Sequence, residues 1–319
     1  NTSLANDPNI SINETYQYET DWSNLFDNER FLKEFCEDIL EPYIINQRWY
    51  GGKASALKYI EIIDQFKIES KSSLYYGIVI EINFKEAFVQ NYFIPIGFLK
   101  KGKKTEDKYI ARVDLNSSEG FIVDALQIKD FQKAIFEKLL EGRKDELEQS
   151  NTSIVYNQAY ILKFFRRVYT DQNPDYEISK YLTSKGHFKN TPGYAGSITL
   201  KFSNNNIITL GLMQELIPNE GDAWEYFIKN LETYFSSLSK KKLNVKNSKP
   251  LSKFKQVSPS EVDPELLKWC SSEFFEDISK LGKRTGEMHV TLGMERVNMS
   301  FTPNAYSYDY SVWLKNRLI

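Results

Sequence analysis

Cysteine and histidine are scarce in this sequence, with two of each among 319 residues. Cys36 and Cys270 lie far apart, which argues against a disulfide framework and favours a reducing compartment. His187 and His289 are isolated from each other and from the cysteines. The sequence therefore offers neither a zinc-ligand pattern nor a Cys/His pair for nucleophilic catalysis.

Long apolar runs and a strong net charge are also missing. No run approaches the ~18 residues that a membrane span needs, and the N-terminus lacks the basic-then-apolar pattern of a signal peptide. The formal net charge is −2, so no overall field points to nucleic acid. We expect a cytoplasmic protein with no membrane and no nucleic-acid partner. Because the chain begins with Asn, we expect it to be a segment of a longer polypeptide.

The first third of the chain predicts an α+β cap. Residues 1–27 are polar and without a period, which is typical of a lead-in or linker. Residues 28–115 begin with a helix that carries an apolar stripe and that Pro42 is expected to kink or end. Four runs of β-branched and aromatic residues follow, and we expect them to form a curled antiparallel sheet: Tyr59–Ile68, Leu74–Phe84, Ala87–Ile96 and Lys108–Leu115.

The turn after the first helix reads Gln47–Arg48–Trp49–Tyr50–Gly51–Gly52–Lys53. Two glycines after an aromatic pair allow a sharp, close-packed turn. Lys53 invites a phosphate-binding interpretation, but the Gly-x-x-x-x-Gly-Lys-Ser/Thr pattern of a Walker-type loop does not occur here. We favour a corner of the cap in which Trp49 is a packing anchor.

Residues 116–218 are predicted to form an intermediate segment and a nucleotide-binding lobe. Gly120–Leu126 leads into a helix from Lys129 to Leu147. Asp124 precedes that helix, where an aspartate more often caps the helix than performs catalysis.

The nucleotide-binding lobe is organised around one lysine. Two short apolar runs, Ser153–Tyr156 and Tyr160–Phe165, flank the turn Asn157–Gln158 and predict a β-hairpin. Lys163 alternates with apolar neighbours on the second strand, so it needs a carboxylate or phosphate partner. Glu177 is the predicted partner, because it lies in the first turn of a helix that begins near Pro174.

A polar turn precedes this hairpin. Its small side chains leave backbone N–H groups and hydroxyls available to phosphate oxygens, which makes an anion nest plausible. The turn consists of Gln149, Ser150, Asn151, Thr152 and Ser153. Polar turn, strand lysine and helix glutamate together are typical of the nucleotide-clamping half of a kinase-type fold.

Several stretches of the chain strongly resemble maltokinases, including those fused behind trehalose synthase. They follow the order of that family over nearly the whole chain and comprise Gln47–Lys53, Gln149–Ser153, Leu162–Arg167, Asn173–Ile178, Gln214–Tyr226, Leu281–His289 and Asp309–Tyr310. The resemblance implies a cap followed by a protein-kinase-like, aminoglycoside-phosphotransferase-like N-lobe. It also implies that ATP and Mg²⁺ act as cofactors and that maltose is the acceptor, giving maltose 1-phosphate. A fused or associated trehalose synthase is an implied partner.

The resemblance further implies a hinge whose backbone bonds the adenine edge, formed by Gln214, Glu215, Leu216 and Ile217. Residues 219–319 then correspond to the start of a helical C-lobe that is incomplete. We expect a helix capped by Asp222, an inserted loop over residues 240–260, a long helix from Leu266 to Leu292 and a final helix from Tyr308.

The catalytic parts of the resembled family are missing from this sequence. No Asp-Phe-Glu or Asp-Phe-Gly motif occurs, and the surroundings of neither histidine resemble a catalytic loop. Phosphoryl transfer needs a base and metal ligands, so we expect no catalysis from this chain alone. Two alternatives stay open. One is a kinase of another small hydroxylated substrate, and the other is a non-catalytic module that tethers or regulates a trehalose synthase.

Overall fold

The computed structural model describes residues 15–102, 109–140, 147–149, 153–201, 206–239, 258–262, 271–303 and 305–317. The chain forms two compact units. The first, unit 1, takes in residues 1–180 and 192–216, and unit 2 takes in residues 181–191 and 217–319. The class is mixed α+β, as the sequence predicts. The predicted boundary between cap and nucleotide lobe at residues 115 and 116 stays a prediction.

The strands within the described residues are β1 (Thr15–Tyr18), β2 (Leu57–Glu69), β3 (Leu74–Phe84), β4 (Gln90–Lys100), β5 (Ala111–Leu115), β6 (Ser118–Asp124), β7 (Leu147–Gln149), β8 (Ser153–Tyr156), β9 (Tyr160–Phe164), β10 (Arg167–Val168), β11 (Tyr194–Lys201) and β12 (Ile207–Glu215). The α-helices are α1 (Glu29–Glu34), α2 (Leu40–Ile45), α3 (Lys129–Leu140), α4 (Pro174–Ser184), α5 (Ala223–Ser239), α6 (Ser272–Gly293) and α7 (Tyr308–Arg317).

The first sheet, called sheet 1, is the predicted cap sheet. Its order is β1-β5-β6-β4-β3-β2, and β10 pairs with β4 beside that path. All pairs are antiparallel except β1 with β5, which is parallel. The predicted antiparallel strands are thus confirmed, and they are joined by β6, a strand that the sequence reasoning took for the approach to a helix.

Sheet 1 is covered on both faces, which explains why β3 reads as an almost continuous apolar run. One face of β3 presents Ile78, Ile80 and Ile82 to a core shared with α1 and α2. The other presents Tyr75 and Val79 to a second core. That second core also contains residues of α3 and of β8, β9 and β12, so one sheet supports both the helical part of the cap and the predicted nucleotide lobe.

Gly77 marks a close approach on the second face of β3. A Cβ atom at this position would lie 2.4 Å from the ring of Phe66. Phe66 in turn stacks on Phe93, with ring centroids 6.2 Å apart and an interplanar angle of 2°. Glycine is therefore required here because an aromatic ring occupies the space of its side chain.

Three sequence-based boundaries are wrong. Residues 15–27 are not a lead-in, because β1 and a 3₁₀ helix at Trp22–Asp27 bury Tyr18, Leu25 and Phe26 in the cap core. Residues 1–14 lie outside the described residues. Pro42 does not end the first helix, which continues through a π-helical turn at Phe35–Ile39 into α2.

The helix predicted to reach Leu147 also ends earlier, since α3 is described to Leu140 and Leu147 begins β7. Leu147–Gln149 forms a strand because it pairs with β8. Local helix propensity does not take pairing with another strand into account.

The second sheet, sheet 2, is antiparallel with the order β11-β12-β9-β8-β7. The predicted hairpin is confirmed as β8 and β9, with Tyr156 opposite Tyr160. Asn157 and Gln158 both have positive φ, at 54° and 50°. Such a turn matches the right-handed twist of a hairpin. Because β9 pairs with β8 on one side and with β12 on the other, it lies inside the sheet.

Unit 2 contains α5, α6 and α7. Asp222 caps α5 as predicted, because its Oδ1 accepts a hydrogen bond of 2.8 Å from the amide of Glu225. Ser271 caps α6 through the amide of Phe274, at 3.1 Å. The predicted loop at 240–260 lies largely outside the described residues, and so does the N-terminal part of the helix predicted from Leu266.

Candidate nucleotide site

Lys163 lies on β9, opposite Ser153 of β8 on one side and Leu212 of β12 on the other. Its ammonium group lies 2.7 Å from Oδ2 of Asp175, and the two side chains are 52% and 55% exposed. Lys163 therefore has a carboxylate partner, as the sequence predicts, although its side chain is about half exposed. The ammonium also lies 5.1 Å from the ring centre of Phe165, where a cation is attracted by the aromatic face.

The carboxylate beside Lys163 belongs to Asp175, not to the predicted Glu177. Both acids lie in the first turn of α4, which begins at Pro174. Asn173 caps this helix, because its side chain accepts from the amide of Tyr176 at 3.3 Å. Sequence spacing cannot separate two acids on one turn, since the choice depends on where the sheet places the lysine. Either acid is favourable to the helix dipole.

The exposure of this ion pair limits its contribution to stability. Surface pairs of this kind contribute about 0–1 kcal/mol, because water screens the charges and two long side chains lose freedom. A pair with so little net stabilisation is easily reorganised. An incoming polyanion can thus accept hydrogen bonds from the lysine without a large loss of folding energy.

The first and last residues of the polar turn, Gln149 and Ser153, lie on β7 and β8 of the same sheet. Gln149 pairs with Ile154 through the backbone, and Ser153 stands opposite Lys163. Ser150, Asn151 and Thr152 lie outside the described residues. The anion nest predicted for this turn stays a prediction. Of the strands on either side of it, β8 is predicted from the sequence and β7 is not.

The predicted hinge is the end of β12 and the residues after it. Gln214 and Glu215 belong to β12. The amide of Glu215 donates to the carbonyl of Gly193 at 2.8 Å, and the amide of Leu216 donates to that of Ala159 at 2.8 Å. Those two amides are therefore already used within the protein, whereas no bond of this kind is described for the amide of Ile217.

Gln214 connects the hinge strand with α4. Its side-chain amide donates to the hydroxyl of Ser179 at 3.0 Å. On the neighbouring β11, Tyr194 meets Tyr176 of α4 edge to face, with centroids 6.0 Å apart. The helix that carries Asp175 is thus attached to β11 and β12 of sheet 2, which fixes where its first turn lies.

A buried ion pair near this site escaped the sequence reasoning. Arg166 and Asp124 are both buried, and Nη2 of the arginine donates to Oδ2 of the aspartate. Asp124 also accepts from the amide of Leu126 at 3.0 Å, so it caps the 3₁₀ turn Ala125–Gln127 rather than the helix α3 that it was predicted to cap. The sequence feature that could have revealed this pair is the run of two arginines directly after an apolar strand. The sequence reasoning assigned no role to these arginines.

The corner predicted around Trp49 is confirmed as a packing corner. Its ring lies 5.6 Å from that of Tyr92 and 6.4 Å from that of Tyr43, and the guanidinium of Arg166 lies over it at 5.3 Å. The amide of Gly51 donates to the hydroxyl of Tyr92 at 3.0 Å. These contacts connect the corner of the cap with the strand segment that follows Lys163.

Within the described ranges, no group of three or more His, Cys, Asp or Glu side chains is arranged to hold a metal ion. No helix in that part of the chain is both long and apolar enough to cross a membrane.

The structure is similar to those of glucosamine kinases. One, in a second crystal form, aligns with a TM-score of 0.45 and 11% identity over 86% of this chain. Another, in complex with glucosamine, ADP and inorganic phosphate, aligns with a TM-score of 0.41 and 10% identity. This chain spans about half the length of these kinases, 52% and 53% of them respectively. No protein-family model matches the chain. Likeness at this level assigns neither an activity nor a substrate.

Proposed function

We propose that this chain is the cap and nucleotide-binding part of an ATP-dependent sugar kinase of the maltokinase type. The reaction of the whole enzyme is then ATP plus maltose giving ADP plus maltose 1-phosphate. The proposal rests on the sequence motifs and on one structural observation, the contact between Lys163 on the inner strand β9 and Asp175 on α4.

This contact supports the proposal because it matches what a triphosphate site requires. A lysine on an inner strand can neutralise phosphate oxygens, while a helix acid holds it ready. Here Asp175 takes the role that the sequence assigned to Glu177. Ser153, opposite Lys163 in the register, joins the lysine to the polar turn at residues 149–153.

Adenine is proposed to bind along the hinge. The amides of Glu215 and Leu216 are occupied, so recognition there uses the amide of Ile217 or backbone carbonyls. One carbonyl is partly engaged already, because the side chain of Asn219 donates to the carbonyl of Ile217 at 3.1 Å.

Magnesium is a proposed cofactor only of the whole enzyme. The ion, when bound with ATP, neutralises charge on the phosphates. Since the described residues contain no cluster of candidate ligands, no residue of this chain is assigned to it and no step is derived through it.

The nucleotide site is tested by titration calorimetry with a non-hydrolysable ATP analogue. Loss of a charge-assisted hydrogen bond costs about 1.5–3 kcal/mol, so Lys163→Ala is expected to raise the dissociation constant by about ten- to a hundredfold. Lys201→Ala is the matched control, because it removes an exposed lysine from the same sheet. Equal affinities of the Lys163 and Lys201 variants would contradict the proposal.

Catalysis by this chain alone is tested with a coupled assay of ADP release. Maltose, glucose and glucosamine serve as acceptors, the last because a glucosamine complex is among the similar structures. We expect no turnover above the blank with any of them, because the sequence contains no catalytic loop or metal motif of the resembled family. Turnover with one sugar would instead identify the acceptor and show that the catalytic groups lie within these residues. A trehalose synthase partner is tested separately by co-purification.

A further inference from the structure

The chain crosses from sheet 2 into sheet 1 shortly after Lys163. After Phe164 the chain passes into sheet 1, where β10 pairs with β4. Phe165 still donates its amide to the carbonyl of Leu210 in sheet 2, at 2.9 Å. Arg166 already accepts, through its carbonyl, from the amide of Phe93 in sheet 1, at 2.8 Å. The crossing between the two sheets therefore takes place at residues 165 and 166, directly after the lysine.

The side chain at this crossing is anchored in the cap. Arg166 pairs with Asp124 at the end of β6, where both side chains are buried. The hydroxyl of Tyr43 donates to the same carboxylate at 3.3 Å. Burial, together with the charge of Asp124, raises the pKa of Tyr43 well above its usual range, so this hydroxyl keeps its proton. Trp49 covers the guanidinium from the corner of the cap.

The stability of the fold alone does not explain the ion pair of Arg166 and Asp124. Nε and Nη1 of Arg166 are buried and have no hydrogen-bond partner in the structure. Unsatisfied buried donors oppose folding, and apolar residues in place of a buried ion pair are often as stable or more so. What a buried ion pair adds is a defined geometry, because each buried charge is compensated only while its partner stays within hydrogen-bond distance.

We propose that Arg166 and Asp124 are positioning residues, which set the placement of Lys163 for the phosphates by fixing the end of β9 to the cap. The proposal rests on the proposed function for its ligand. The proposal also assigns a role to the cap, because Tyr43 and Trp49 pack against the core of sheet 1 and Asp124 lies on one of its strands. The Arg166 side chain itself does not touch the nucleotide.

The first test measures the fold and needs no nucleotide. The double variant Asp124→Asn with Arg166→Met removes both charges while Asn keeps an acceptor for the Leu126 amide, so no lone charge is left buried. Ile80→Val is the control, because Ile80 faces the cap core away from sheet 2. Exchange is compared at the same number of degrees below the melting temperature of each variant. Under these conditions, we expect the amides of Phe93 and Phe165 to exchange with deuterium about tenfold faster in the double variant only.

The second test separates the phosphates from adenosine. In calorimetry, the double variant is expected to bind the ATP analogue about tenfold more weakly and adenosine with unchanged affinity. On a Lys163→Ala background it is expected to add no further loss, because residues that act through one another are not additive. Asp124→Asn with Arg166→Leu, which likewise leaves no lone buried charge, serves as a second variant with the same expectations.

The outcomes distinguish the two proposals. Exchange no faster than in Ile80→Val, or an equal loss of affinity for the ATP analogue and adenosine, would overturn the positioning role. If the unsubstituted chain binds no ATP analogue, the proposed function fails, and the exchange result alone decides whether the pair fixes the end of β9.

Discussion

Two residues in the β8–β9 turn show how backbone conformation limits side-chain choice. Asn157 and Gln158 lie in the left-handed region, which costs an L-residue about 1–2 kcal/mol. Asparagine tolerates this region better than most residues, since its short side chain bonds locally, whereas glutamine has no such advantage. Gln158 is exposed, so its side chain makes little contact that could offset the cost.

Gln158→Gly is therefore expected to stabilise the protein. Relief of the strained φ outweighs the added freedom of glycine in the unfolded chain, and the free energy of unfolding should rise by about 0.5–1 kcal/mol. Urea unfolding measures the change. Ala159→Gly is the control at a neighbouring position without positive φ, where a loss of similar size is expected. A loss at both positions would show that the turn is not strained.

The exposed ion pair of Lys163 and Asp175 and the buried ion pair of Arg166 and Asp124 differ in their contribution to stability. An exposed ion pair is worth little to the fold, so its interest lies in what else can bind the lysine. The buried pair of Arg166 and Asp124 is different. There, removal of one partner leaves an uncompensated charge, which costs about 3–5 kcal/mol.

At the scale of elements, one carboxylate connects a turn of sheet 1 with helix α3. Asp130 accepts hydrogen bonds from Ser70, Ser72 and Tyr75, at 2.6, 3.1 and 2.8 Å. Partial burial by itself raises the pKa of Asp130, but these hydrogen bonds outweigh it, and the pKa lies below its usual value. The turn between β2 and β3 thus depends on the ionised form.

Acid should weaken this connection. A carboxyl whose folded pKa is depressed adds stability above its unfolded pKa of about 3.9, and that stability is lost as the pH falls through the folded pKa. Urea midpoints between pH 5 and pH 2.5 should therefore fall more steeply for the unsubstituted chain than for Asp130→Asn. Glu86→Gln, in the exposed turn after β3, is expected to leave the slope unchanged. Parallel curves for all three proteins would exclude the role of Asp130.

At the scale of the whole molecule, the two units differ in how much apolar surface they bury. Unit 1 contains two apolar cores, one between sheet 1 and helices α1 and α2 and one shared by sheet 1, sheet 2 and α3. In unit 2, no described residue of α5 or α7 is buried, and Trp224, Phe235 and Leu281 are 76%, 62% and 55% exposed. Helices of this kind owe most of their stability to packing of an apolar face.

Local opening should follow this difference. We expect the amides of α5 and α7 to exchange with deuterium at least about a hundredfold faster than those of β3 and β4, because opening free energies span from near zero to the global value. Mass spectrometry of exchanged peptides measures both. Limited proteolysis should nick residues 217–319 before residues 57–100. Protection of α5 equal to that of β3 would show that another surface covers it in solution.

Much of the fold follows from local pattern. Alternating apolar residues identify β2, β3 and β4, the turn Asn157–Gln158 identifies the β8–β9 hairpin, and Asp222 marks the start of α5. Each is a short-range relation, in which the period of side chains or one capping hydrogen bond decides the structure. The sequence by itself therefore determined the α+β class and the lysine strand next to an acid-bearing helix.

The tertiary structure decided which groups meet. Asp175 rather than Glu177 lies beside Lys163, because the attachment of α4 to β11 and β12 sets which acid of its first turn faces β9. Arg166 and Asp124, 42 positions apart, pair only because the chain crosses from sheet 2 into sheet 1. Contacts of this range leave no period in the sequence, since they depend on how whole sheets pack rather than on neighbours along the chain.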